Sequence, residues 1–234
     1  VADTASDNLT WTGTAGAIWG TTGSLNWQNG ANPWAFTNGD IVTFNGTGIG
    51  QPVVSLQASV QPASVTVNND AGTTYTFNDG TGSGGGKIIG AAGIAKSGAG
   101  TLVIATANIN TGATVINAGV VQIGAGGATG DLGVGHVTTN GVLAFNQTGT
   151  HTVNGSISGT GSVNKQGSAT VILVANNTYA GSTTIASGGT LQVGTCGAAG
   201  SLGAGSITND GILVYNHTGT FSVGNIKTGP ANGG

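Results

Sequence analysis

Any chemistry in this chain must come from a short set of side chains. Its 234 residues hold seven aspartates, four lysines, three histidines, one cysteine and four tryptophans, and no Glu, Arg or Met. Acid–base hydrolysis of a polysaccharide needs two or three carboxylates converging on one bond. The aspartates stand mostly in turn sequences instead: Asn-Gly-Asp at Asp40, Asn-Asn-Asp at Asp70, Asn-Asp-Gly at Asp79 and Asp210. Asx turns account for them. His136, His151 and His217 are not clustered in sequence. Cys196 is alone, so it forms no intrachain disulfide and makes a poor metal site. Gly80, Gly82 and Gly85 satisfy G-x-G-x-x-G, but no helix follows, and Gly86–Lys87 is followed by Ile88 rather than Ser or Thr. Neither a dinucleotide loop nor a phosphate loop is expected. No G-x-S-x-G elbow and no calcium-binding nonapeptide repeat occurs. No catalytic residue, metal site or cofactor is assigned, and the reading is that of a non-enzyme.

Trp11, Trp19, Trp27 and Trp34 recur at spacings of 8, 8 and 7. As candidate ligand-binding residues they would stack on sugar rings, which requires exposed, coplanar faces. The competing expectation is burial over the open end of a core, the usual use of large aromatics.

The elements that would position these residues are strands and turns. Gly makes up 47 of 234 residues and charged residues only 5%, against typical shares of about 7% and 25%. Apolar residues reach 38% and prolines number four. The apolar residues fall in regular short clusters, which argues against disorder. Alternating runs recur: Thr101–Thr106, Ala113–Asn117, Val120–Gly124, Val142–Asn146, Thr170–Ala175, Thr190–Gly194 and Ile212–Asn216, nearly all bounded by Gly, Asn, Asp or Ser. The net charge of −3 and the lack of a basic stripe recommend neither nucleic acid nor an anionic membrane as partner. No apolar run approaches the roughly 20 residues of a membrane helix. Val1 opens the chain without Met or signal peptide, so it is read as a mature chain or an excised fragment.

An internal repeat organises the chain. Residues 92–160 match 161–229 at an offset of 69 to 70, with 15 identities in 31 positions between 120–150 and 190–220. The histidines do not recur: His136, His151 and His217 correspond to Ser206, Phe221 and Gln147. Short strands stacked turn on turn at about 4.8 Å would bury one side of each in a narrow continuous core. About 23 residues per turn would give three turns per repeat and nine or ten turns in all. The divisions expected are a Trp-rich cap (1–50), first turns with a Gly-rich loop (51–91), the two repeats (92–160 and 161–229) and a tail (230–234). Thr and Asn in successive turns would form ladders on an uncharged outer surface.

Gly167–Gly194 (GSATVILVANNTYAGSTTIASGGTLQVG) resembles the passenger-associated transport repeat of autotransporter proteins. Gly98–Gly124 is a weaker copy, with Ile109 and Asn110 where Thr178 and Tyr179 stand. Ser201–Asn216 resembles the turn that usually follows, and the opening WTGTAG…NW…FTNGDIVTFNG (11–46) resembles the start of autotransporter-associated β-strand repeat proteins. The resemblance implies an all-β, right-handed parallel β-helix, secreted and displayed or shed at a Gram-negative surface. It also implies a β-barrel translocator, which residues 1–234 do not supply. Either the barrel lies outside this sequence or the protein works without one.

Two functions follow as expectations. One is an extracellular structural protein, a subunit of a self-assembling surface fibre, sheath or matrix. It would join end to end or by exchange of a terminal strand, with Val1–Thr10 as the candidate docking strand. The other is the passenger of an adhesin that binds cell-surface glycan through the Trp-rich region. Partners are thus copies of itself or a glycan, with no nucleic acid and no membrane insertion by this segment.

Overall fold

The computed structural model describes residues 6–80, 85–218 and 226–227. Its strands form where aliphatic and hydroxyl or amide residues alternate, because one side of such a run can be buried while the other stays wet. In Thr101–Ile104, Leu102 and Ile104 are fully buried, and in Val120–Ile123 so are Val121 and Ile123. No α-helix occurs among the described residues.

Stacking these strands gives a three-faced parallel β-solenoid of about 8 turns. The first face runs from Asn8–Trp11 through Ile41–Phe44, Ser64–Asn68, Gly93–Ser97, Thr114–Ile116 and Val137–Thr139 to Ile157–Ser158. The second runs from Ile18–Trp19 through Val53–Leu56, Thr74–Asn78, Thr101–Ile104, Val120–Ile123, Val142–Asn146, Ser162–Gln166, Thr183–Ile185 and Ile207–Asn209 to Ile226–Lys227. The third is assembled in pieces. A bridge between Val60 and Ile88 and a pair made by Ala107–Asn108 and Asp131–Leu132 precede a sheet of Thr150–Val153, Thr170–Leu173, Thr190–Gly197 and Ile212–His217.

Register aligns like with like along the axis. Leu102, Val121, Leu143 and Val163 form one inward column of the second face. Each such side chain contributes about 1.5–3 kcal/mol on burial. Outward, Thr10, Thr43 and Thr66 align on the first face, and Thr150, Thr170 and Thr190 on the third.

The expectation of one uniform turn length requires correction. Register sets Val142 beside Ser162 in one turn and Thr114 beside Val137 in another, a longer step, because a loop enlarges that turn. Within the repeats most turns are shorter than expected, so one copy of the repeat overshoots three of them. Thr101 of the first copy lies on the second face, whereas its counterpart Thr170 lies on the third. Val137–Thr139 is on the first face and its counterpart Ile207–Asn209 on the second. The repeat advances three turns plus one face.

At the N-terminal end Trp27–Asn29 pairs antiparallel with Asn8–Trp11, and Asn32–Trp34 pairs antiparallel with Trp27–Asn29. Gly30, at φ +62°, makes the tight reversal between them. Asn32–Trp34 is the edge of the nine-stranded first-face sheet and carries Pro33, a residue that cannot donate to an added strand. The tail 230–234, most of the Gly-rich loop and residues 1–5 of the candidate docking strand lie outside the described residues.

Candidate functional site

The four tryptophans meet different fates. Trp11, Trp19 and Trp27 are 0%, 0% and 1% exposed. They pack with Phe36, Phe44 and Phe77 at centroid distances of 5.1 to 6.1 Å, many of them edge to face. Their ring faces are thus turned into the molecule. Trp11 Nε1 donates to Gln51 O at 3.0 Å, while Trp19 Nε1 is buried without an acceptor among the described residues. Trp34 is half-buried and donates to Asp7 Oδ2 at 3.1 Å. At the same end Thr12, Thr14, Trp27, Gln28, Ala31 and Pro33 line a shallow groove, and Trp34 is not part of its lining.

Two lysines are used in a way that composition did not anticipate. Lys96 and Lys165 occupy the same place in the two repeats. Both are fully buried in inward columns, Lys96 between Val67 and Ile116 and Lys165 between Phe145 and Ile185. Lys96 Nζ donates to Ser97 O and, at 2.8 Å, to Gly98 O. Lys165 Nζ donates to Gln166 O and, at 2.9 Å, to Gly167 O. Each ammonium thus satisfies the corner carbonyls that follow its own strand. Gly98 and Gly167 hold those corners at φ +72° and +65°. Burial lowers Lys96 to about 8 and also pushes Lys165 down. A Cβ on Gly119 or Gly189 would lie 2.9 Å from the respective Nζ. The signal was present in the sequence: Lys96 alternates with inward Ile94, and the position recurs in a chain almost without charge.

Asparagines repair the corners. Asn108 Oδ1 accepts from Ile88 N at 2.8 Å, and its counterpart in the second copy, Asn177 Oδ1, accepts from Ile157 N at 2.7 Å. The copies differ next to them. Tyr179 is buried and its hydroxyl meets Thr183 Oγ1 at 2.6 Å. In the first copy Asn110 replaces the tyrosine and donates to Ala92 O, leaving Thr114 Oγ1 buried without a partner among the described residues.

Of the histidines, His136 Nδ1 lies 3.0 Å from Ser156 Oγ, both on the surface. Among the described residues no carboxylate engages its ring, as a nucleophile–base–acid triad requires. His151 Nδ1 stands 3.9 Å from Asp131 Oδ2. Burial lowers His151 against the opposing pull of Asp131, and burial raises Asp131 against the pull of His151. Cys196 is exposed in a bulge of its strand, with Sγ 2.9 Å from Asn216 Oδ1. Among the described residues no group of three or more His, Cys, Asp or Glu could hold a metal, and no helix is long and apolar enough to cross a membrane.

Successive copies along this parallel β-solenoid place the same lysine, asparagine and corner glycine alike: Lys96, Asn108 and Gly98 in one, Lys165, Asn177 and Gly167 in the other. The passenger-associated-transport-repeat family model matches residues 94–123 and 163–193, the two stretches that carry these features. Both matched stretches lie in the β-solenoid, which is consistent with an autotransporter passenger repeat. The family suggests a secreted or surface location. No curated protein and no solved structure matches the chain.

Proposed function

We propose that this chain is a non-catalytic, extracellular structural segment of an autotransporter passenger, a rod that associates with copies of itself in a surface fibre, sheath or matrix. The observation that carries this reading is the set of uncharged, in-register outer columns. Thr10, Thr43 and Thr66 run along one face and Thr150, Thr170 and Thr190 along another. Sides of this kind can pack against each other with little charge repulsion. The Pro33-bearing hairpin at the N-terminal end favours side-by-side association over end-to-end stacking through that end. Asn8–Trp11 is already held between two strands of its own chain, which weighs against its exchange.

The alternative, a glycan- or cell-binding adhesin passenger, finds support in the shallow groove that Thr12, Gln28 and Pro33 help to line. Electron microscopy of the untagged protein over a range of concentrations separates the two. Ordered bundles or sheets of rods support the structural reading. Single short rods at every concentration overturn it and pass the lead to the adhesin reading. A glycan screen on Gln28→Ala then tests that reading.

A further inference from the structure

The first and second faces are stitched without interruption through the middle of the rod, but the third is not. Asp131–Leu132 closes a two-stranded sheet, and Thr150–Val153, one turn on, opens a separate four-stranded one. What spans this gap is a side-chain pair, His151 and Asp131, at 3.9 Å. His151 occupies an inward position, in register with Val171, Leu191 and Leu213. Its ring lies 5.9 Å from that of Phe145. Behind it is an apolar cleft walled by Leu132, Leu143 and Val153, with Gly133, Gly135 and Gly155 leaving its corner thinly filled. The second copy replaces Asp131 with Ser201 and His151 with Phe221. The pair is therefore not part of the repeated sequence pattern.

We propose that this gap is an acid-sensitive joint: protonation of His151 opens the third face between Asp131–Leu132 and Thr150–Val153 while the other two faces stay paired. An imidazolium at an aliphatic core position would be a charge removed from water. Asp131 is the carboxylate that faces it. Val142–Asn146 and Thr170–Leu173, packed beside it, carry no titratable side chain, and His136, just before Val137–Thr139, is engaged with Ser156. The sign follows from linkage. An open joint lets His151 take a proton from about pH 6.5 downward, whereas the closed joint resists it, so closure weakens as pH falls below that value. Asp131, raised by burial, acts in the opposite sense and at lower pH, as its carboxyl takes a proton earlier in the closed form. The sensitive band therefore lies between the histidine and carboxylate ranges.

Hydrogen exchange on the whole chain at pH 7.5 and 5.5, expressed as protection factors, tests this. Protection of Gly126 and Thr148, whose amides bond across this turn boundary at the edge of the joint, is expected to fall by up to about tenfold on acidification, the most that one group of pKa about 6.5 can contribute between these pH values, with 114–116 and 142–146 unchanged. His151→Phe, which installs the second copy's aromatic, and His151→Gln, which keeps a neutral polar group, should both abolish the acid response. Equal protection at the two pH values in the wild type, or an undiminished response in both variants, would overturn the proposal.

Discussion

In the first copy of the repeat Lys96 lies under a corner of the first face; in the second, Lys165 lies under the same corner of the second face. The same displacement separates Gln122 from Gln192, whose amides donate to Gly124 O and Gly194 O at 2.8 Å in each case. A side chain in such a stack is answerable to its neighbouring turns and its own corner, not to the side of the rod on which it sits. The two copies differ where a partner changed, at Asn110 against Tyr179, and the effect stays local to Thr114.

The severest challenge to this equivalence is removal of the ammonium. Lys96→Ala and Lys165→Ala each remove the donor to two corner carbonyls and leave a cavity in the column, and each is expected to lower stability by about 3 kcal/mol. Urea unfolding of both would show it. A large loss in one and none in the other would mean that the faces are not interchangeable.

Smaller effects are expected at the tyrosine. Tyr179→Phe should lose about 1 kcal/mol by orphaning Thr183. Asn110→Tyr should recover a comparable amount by giving Thr114 its partner. Thermal unfolding of the two variants reads both changes, and a destabilised Asn110→Tyr would show that the first copy has repacked around its asparagine.

A further effect is in pH. Lys96, held at about 8, binds fewer protons folded than unfolded between that value and the ordinary lysine range, so stability should rise with pH there. Tyr75, raised to about 12, reverses the trend only above about pH 10, where unfolded tyrosine ionises. Denaturant midpoints from pH 8 to 10 should drift upward in the wild type and stay flat in a Lys96→Met, Lys165→Met double variant. A flat wild-type curve would mean that the ammoniums are better solvated than their columns imply.

The rod itself was legible in the sequence, because alternation in runs such as Thr101–Ile104 and the offset between the two copies both survive without knowledge of the fold. The phase was not, since an offset yields a number of turns only once the length of a turn is known, and loops of different size make that length vary. Lys96 and Lys165 were counted as charges, and charge is normally outside. Only the corner carbonyls, which sequence does not display, make burial favourable. The His151–Asp131 pair was hidden for another reason: its members are separated by a whole turn of chain and meet only across a turn boundary.

Advance by three turns and one face has a consequence for how such chains lengthen. A duplicated segment need not match a whole number of turns to be accommodated; it need only begin and end at equivalent corners. Growth by tandem duplication is then quantised in thirds of a turn. A longer array built from this unit would carry its copies along a three-fold screw, bringing the same side chains back to the same side only at every third copy.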